Sequence, residues 1–536
     1  MKQCDNKRKV FAIAGLAILI CLTPAITNSS SASTPETRNF PGLRLTPPPP
    51  QFDEQQRLAE LAQRRATVAQ KIGPKAVLLL FSAEPRIYTA DVDYHFRQEN
   101  NLYYLTNLKQ KGATLVLMPG NRLVPEILFL PRRHPVAETW TGRMYSAQEA
   151  FQISGIKEIW DASEFAPFVS ALRNREAYRP KPDKIFMTTL ATTAEGTSNG
   201  FEGIFEAAQK NGADLYLLLS REPESREYRR EQRFVAEWQS TPNFTIKNAM
   251  PIFAELRVRK SPMELKLLQH AVDITIEALQ RSWLAAASAK WEYEVDAQVL
   301  YTFKLRNAHW GYPPIVGAGA NATTLHYDTS DGPIRSGDLL LMDVGAEYEY
   351  YTADLTRTFP VNGKFSPAQA HVYQIVYEAQ EAGAKVARPG ATMSDVHRAA
   401  TEVIKSGLLR LGLITDWDSE QYRIWFMHGT CHWIGMNVHD VGGAPRFEPG
   451  MVFTNEPGIY LRPDALDHMP FGWRPEEWEK FTTAIRPAFE KYKGIGVRIE
   501  DDLMITSEGV HWMSGALPRK LEDIEAFIAR ARESGQ

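Results

Sequence analysis

The sequence predicts a two-domain α/β protein, and three observations carry the prediction. Its 536 residues exceed what one ordinary core takes up. Short apolar, strand-like runs alternate with helix-like stretches along the first half. A strong helix start at Ser261 then opens a second half in which several apolar runs end on an acid. A composition of 44% hydrophobic and 23% charged residues supports large cores and shows no fibrous or disordered bias. The net charge of -3 is too small for a nucleic-acid partner held by a basic field.

Taken in order, residues 1–32 have the layout of a secretory signal peptide. Lys2, Lys7, Arg8 and Lys9 precede an apolar run over 10–22, and Ser30 and Ala32 offer small residues for cleavage. The run falls short of the ~20 residues that span a bilayer, so an exported protein, periplasmic or secreted, with no stable membrane anchor is expected. Removing the leader leaves a charge of about -6 and Cys431 as the single cysteine, which excludes an internal disulfide. Residues 33–52 are rich in Ser, Thr and Pro and end in Pro47-Pro48-Pro49-Pro50, which reads as an extended linker.

An N-terminal α/β domain is expected over 53–240. It holds a helix to about residue 72, strands at 75–82, 113–118 and 126–130, and helices at 146–153 and 202–211. A second domain is expected over 255–520. It opens on Ser261-Pro262-Met263-Glu264, with a serine cap, proline in the first turn and glutamate three after the cap. Leu265, Leu268, Val272, Ile276 and Leu279 then recur at helical spacing and predict one buried face. Further helices are expected at 293–307, 366–386 and 392–409, and strands at 338–347, 350–358, 451–455 and 498–505.

The chemistry sits on those strands. In Leu339-Leu340-Leu341-Met342-Asp343-Val344-Gly345 an acid closes an apolar run, and a buried carboxylate must be protonated, paired or metal-bound. Asp354 follows in a similar setting beside Tyr351 and Thr352, within reach across a tight return. His428, His432 and His439 then place three of the chain's 12 histidines in one short stretch. Glu456 and Glu500 each follow another apolar run. Singly, each reads as a turn, ion-pair or core residue; together, four acids and one histidine form an oxygen-rich metal set without thiolates. That set favours manganese, with zinc and cobalt as the other candidates. Four carboxylates repel one another around one ion but balance two divalent ions. Such ions, roughly 3.5–4 Å apart, share a water, lower its pKa and polarise a carbonyl. Hydrolysis of an acyl bond is the expected reaction.

Residues 261–506 resemble the catalytic domain of the metallopeptidase family that contains aminopeptidase P, prolidase and methionine aminopeptidase. The matching strings are Met342-Asp343-Val344-Gly345, Thr352-Ala353-Asp354-Leu355-Thr356-Arg357-Thr358, residues 428–439, Asn455-Glu456-Pro457-Gly458 and Val497-Arg498-Ile499-Glu500-Asp501. The resemblance implies a pita-bread fold in which Asp343 binds one ion, His432 and Glu456 the other, and Asp354 and Glu500 bridge them. It implies that His326 handles a proton or binds peptide near the leaving group and that His439 contacts the scissile carbonyl oxygen. His428 and Tyr460 would line the leaving-proline side, Arg498 would hold other site groups, and Glu456 would take the proton of the attacking water.

Before residue 240, Phe96-Arg97-Gln98-Glu99-Asn100-Asn101-Leu102-Tyr103-Tyr104-Leu105-Thr106 and Ala137-Glu138-Thr139-Trp140-Thr141-Gly142-Arg143 resemble the creatinase-like N-terminal domain of aminopeptidase P. In some relatives the tryptophan matching Trp140 reaches a neighbouring subunit's active site, which implies a homo-oligomer. The expected substrates are peptides with proline at the second position. Prolidase, cutting Xaa-Pro dipeptides, is the close alternative, while intact ligands weigh against creatinase and a metal-free binding module of the same fold. Two departures stand out. The 43 residues between Glu456 and Glu500 exceed the family's usual length and are expected to restrict substrate length. Cys431, where relatives carry serine or glycine, is expected to be a small buried filler.

Overall fold

In the computed structural model the described residues are 42–534, apart from 191–199, 211, 221–226, 240 and 242. The expected signal peptide and residues 33–41 of the expected linker lie outside the described residues. The α/β expectation holds in both domains. Helix α1, Glu54–Ile72, starts where the Asp53 side chain accepts from the Gln56 N–H and packs Leu61, Val68 and Ile72 inward.

Besides a short hairpin of Ile87–Thr89 and Val92–Asp93, seven described strands follow in the N-terminal domain: β1 Ala76–Phe81, β2 Thr114–Leu117, β3 Glu126–Leu130, β4 Ile159–Asp161, β5 Ile185–Met187, β6 Ala213–Leu217 and β7 Phe244–Asn248. They form one mixed sheet ordered β5-β4-β3-β2-β1-β6-β7. β1 lies between antiparallel β2 and parallel β6 and is buried along its whole length, which explains its unbroken apolar run. β7 carries the domain past the expected limit of 240. It is an edge strand with no fully buried residue, so its apolar signal is weak.

Residues 42–50 have no helix or strand, as an extended segment should, yet they are tied down. The Thr46 backbone N–H and hydroxyl both donate to Glu277 Oε2, at 2.9 and 2.6 Å. The Arg44 backbone N–H donates to Gln280 Oε1 at 2.7 Å. The segment is a strap on the second domain rather than a free linker. Helix α2, Asn100–Thr106, buries every residue and faces that domain.

The second domain opens on α3, Pro262–Ala286, with the expected reciprocal cap between Ser261 and Glu264. Helices α4, Pro367–Val386, and α5, Met393–Leu411, carry the same type of cap. Small antiparallel sheets lie against these helices. One joins β8 Ile315–Ala318, β9 Leu339–Val344 and β10 Leu355–Pro360. A second pairs β11 Val452–Asn455 with β14 Asp501–Ile505, and a third pairs β12 Gly458–Tyr460 with β13 Gly496–Arg498.

Three strands expected to be continuous are broken. The run over 338–347 divides at Gly345, where any Cβ would stand 1.9 Å from the Ala353 carbonyl oxygen. The chain then turns through Glu349 and Tyr350 at φ 46° and 71°, and the run over 350–358 divides at 353–354, between the short strand Tyr351–Thr352 and β10. The run over 498–505 divides between Arg498 and Asp501. Within the long segment before Glu500, 18 residues form helix α6, Pro475–Tyr492, which buries Trp478, Phe481, Ile485 and Phe489. Phe489 stacks on Trp425 with ring centroids 5.7 Å apart. Only its leading loop projects, with Phe471 and Met469 exposed. No helix of the described residues is long and apolar enough to cross a membrane.

Candidate metal centre

The strand breaks are where the acids gather. Asp343 sits near the end of β9, opposite Ile315 and Thr356. Asp354 immediately precedes β10, Glu456 lies between β11 and β12, and Glu500 lies between β13 and β14. Asp354, His432 and Glu500 each bring one ligand atom within 4.8 Å of the others. His432 Nε2 is 3.3 Å from Asp354 Oδ2 and 3.6 Å from Glu456 Oε1. Its Nδ1 lies 3.1 Å from the Trp433 carbonyl, which can only accept, so Nδ1 carries a proton and Nε2 is turned toward the acids.

The acids are fixed from behind. Thr356 donates to Glu500 Oε2 at 2.6 Å, and the Glu500 N–H donates to the Thr356 carbonyl at 3.0 Å. Fully buried Arg357 donates to the Glu500 carbonyl at 2.7 Å and to Asp501 at 2.7 Å. The Asp354 N–H donates to buried Asp502 at 3.1 Å. Arg498 reaches Asp343 Oδ2, Thr356 Oγ1 at 3.1 Å and the Tyr460 hydroxyl at 2.8 Å.

Tyr312 completes the set, and the sequence reading missed it. Its hydroxyl stands 2.6 Å from both Asp343 Oδ1 and Asp354 Oδ1. It lies in Gly311-Tyr312-Pro313-Pro314, outside any periodic run and without an ionised side chain, so only the short step to β8 could have hinted at it. A phenol has one proton and serves one carboxylate at a time, leaving the other's charge to a cation. Burial first and neighbouring carboxylates second push Asp354, Glu456 and Glu500 well above the usual carboxylate range. A divalent cation removes that conflict, so the donor set fits metal.

Around these ligands lies a histidine shell. His428 Nδ1 donates to the Gly429 carbonyl at 2.7 Å, so Nε2 accepts from the Tyr460 hydroxyl at 2.9 Å. Burial, and then the Arg498 guanidinium, push His428 down to about 3, so the ring is neutral. His439 stacks on His432 with centroids 4.0 Å apart. Partial burial, then His432 and His326, push His439 down to about 4.

Comparison with known proteins agrees with this geometry. The profile of "Metallopeptidase family M24" matches residues 266–507 and that of "Aminopeptidase P, N-terminal domain" matches 61–178. The Xaa-Pro aminopeptidase of Haemophilus influenzae is 32% identical over 482 residues, covering 88% of this chain and 97% of that protein. The chain belongs to metallopeptidase family M24. The Xaa-Pro aminopeptidase of Escherichia coli K12 is also 32% identical, over 88% of this chain and 98% of its own length. The structure of Pseudomonas aeruginosa aminopeptidase PepP superposes with a TM-score of 0.73 at 30% identity, covering 89% of this chain and 99% of that one.

The M24 fold therefore brings together Asp343, Asp354, His432, Glu456 and Glu500, with His428, Tyr460 and Arg498 beside them and His439 above. His326 is exposed at the rim. Trp140 is not part of this chain's centre: it is 83% exposed, on helix Pro135–Thr141, which buries none of its residues. Cys431 packs against the cluster around Val396, Trp433 and Phe453. It is half-buried rather than the buried filler expected, and burial, then Glu456 and Glu500, push its thiol up.

Proposed function

We propose that this metallo-exopeptidase removes the N-terminal residue of peptides carrying proline at the second position, using two divalent ions, with manganese favoured. The convergence of Asp354, Glu500 and His432, with Glu456 beside His432 and Asp343 joined to Asp354 through Tyr312, behind an aminopeptidase P-type N-terminal domain, carries the reading. Asp343 would hold one ion, His432 and Glu456 the other, and Asp354 and Glu500 would bridge them. When bound, such ions polarise the scissile carbonyl and acidify a water.

The chain's own residues supply the rest. Glu456 accepts the attacking water's proton at a carboxylate oxygen. His439 donates to the carbonyl oxygen as negative charge develops there. His326, at the rim, serves the departing amine. His428 and Tyr460, held in one hydrogen-bonded line with Arg498, present a neutral, rigid wall to the leaving proline.

The test compares Xaa-Pro dipeptides, Xaa-Pro-Yaa tripeptides and longer peptides on manganese-loaded protein. Release of Xaa from the tripeptide is the expected result, and cleavage of dipeptides alone would transfer the assignment to prolidase. A fall in rate with peptide length supports a restrictive role for the exposed loop around Phe471. Exposure of Trp140 fits a second copy completing the site, so the active species is expected to be a homo-oligomer by light scattering. The basic start and apolar run over 10–22 support export, and a mature N-terminus found upstream of residue 10 would refute it.

A further inference from the structure

The segment that carries His439 has little structure of its own. Residues 435–440 form no helix or strand. Their local backbone bonds are few: the Gly435 N–H to the Asn437 carbonyl at 3.2 Å and the Asp440 N–H to the Trp433 carbonyl at 2.9 Å. The Gly435 carbonyl also accepts from the Thr352 N–H at 2.8 Å.

What holds this loop on its other side is the N-terminal domain. Asn100 Nδ2, at the start of α2, donates to Asn437 Oδ1 at 2.8 Å. Arg97 Nη2 donates to the Met436 carbonyl at 2.6 Å. The same guanidinium orients Asn100, with Nη1 2.7 Å from Asn100 Oδ1, and is itself anchored by Glu347 at 2.8 Å. At the loop's far end buried Arg257 grips Asp440 and donates to Asn101 Oδ1 at 2.8 Å. The other Asp440 oxygen accepts from the Met436 N–H at 3.3 Å. Residues 436, 437 and 440 are thus clamped, and His439 lies between the last two.

We propose that Arg97, Asn100 and Asn437 are positioning residues for His439, so that the N-terminal domain sets the reaction geometry of the catalytic domain within the same chain. The proposal rests on His439 being the donor to the scissile carbonyl oxygen. A donor stabilises that oxygen only within about 2.7–3.1 Å, and a displacement near 1 Å costs on the order of 10²-fold in rate. One lost bond of the clamp moves the loop by less, so a fall of roughly tenfold in kcat follows.

Asn100→Ala and Asn437→Ala probe the two ends of one hydrogen bond, so a variant that fails to fold leaves the other to decide. Each is made in the full chain, alone and with His439→Ala, and assayed on an Xaa-Pro-Yaa tripeptide with metal content and thermal midpoint recorded. The expected result is a kcat about tenfold lower, KM little changed, bound metal retained and no further loss in the His439→Ala background. Asn437→Asp keeps the acceptor oxygen and restores most of the kcat lost in Asn437→Ala. An equal loss with and without His439, or loss of metal in step with activity, overturns the proposal. Wild-type kcat in His439→Ala also overturns it, by removing the donor role, whereas an intact chain that leaves Xaa-Pro bonds uncut indicts the functional reading instead.

Discussion

Tyr312 shows how much one neutral side chain contributes at a charged centre. Its hydroxyl is the contact shared by Asp343 and Asp354, both at 2.6 Å, so it sets the spacing of two ligands from adjacent strands. Tyr312→Phe removes that oxygen with almost no change in shape. Groups that orient metal ligands in this way are worth roughly 10–100-fold in metal affinity or activity, and a loss in that range is expected by metal titration and by kcat/KM. The five candidate ligands were legible in the sequence only as a set, because four acids closing apolar runs beside a histidine cluster point to metal together while each alone reads as a turn, ion-pair or core residue. Tyr312 was not, because a tyrosine between a glycine and two prolines breaks no rule of burial or charge. Cys431, expected as a buried filler, is only half-buried, and its surroundings raise the thiol rather than activate it.

At the scale of elements, the strap over residues 42–50 turns a proline-rich segment into part of the fold. Its anchor is Glu277 on α3, which also receives Arg281 at 2.7 Å and Arg306 at 2.8 Å. Burial opposes ionisation of Glu277, but Arg306, Thr46 and Arg281 outweigh it and hold the carboxyl down to about 2, from an ordinary 4.5. A carboxylate depressed in the folded state stabilises the fold above its unfolded pKa and loses that contribution as pH falls through its folded value. Glu277→Gln should therefore cost roughly 1.5–3 kcal/mol at neutral pH. Denaturant unfolding should show the gap from the parent narrowing between pH 4.5 and 2. The helix caps at Ser366 and Thr392 emerged from the structure, whereas the same cap at Ser261 was readable because capping involves neighbours three residues apart. The breaks in the expected strands were not. Gly345 looks like any strand-end glycine until the Ala353 carbonyl is placed against it.

For the whole molecule, metal and fold are expected to be coupled. Asp343, Asp354, Glu456 and Glu500 crowd a space where Arg498 is the cation in contact with Asp343, and the remaining charge is unbalanced without an ion. Chelation should abolish peptidase activity and lower the thermal midpoint. Adding back a divalent ion at about 100 times its Kd should restore roughly 2.7 kcal/mol, read as a concentration-dependent rise in that midpoint. An unchanged midpoint with full loss of activity would mean that the acids share protons in the metal-free chain instead of repelling one another.

What the sequence determined by itself was local or chemical in kind: the cap at Ser261, the unbroken core strand β1, and the acids and histidine that fit a metal set. Each leaves its mark within one element, where periodicity, capping and the cost of burying charge act. The single buried face expected of α3 became burial on every side over 270–280. The tertiary structure alone decided that β7 extends the first sheet, that residues 42–50 lie on α3, that Tyr312 spans two ligands and that α2 clamps the loop bearing His439. Those contacts join residues far apart in the chain, and their distances follow from how whole elements pack rather than from any pattern between neighbours.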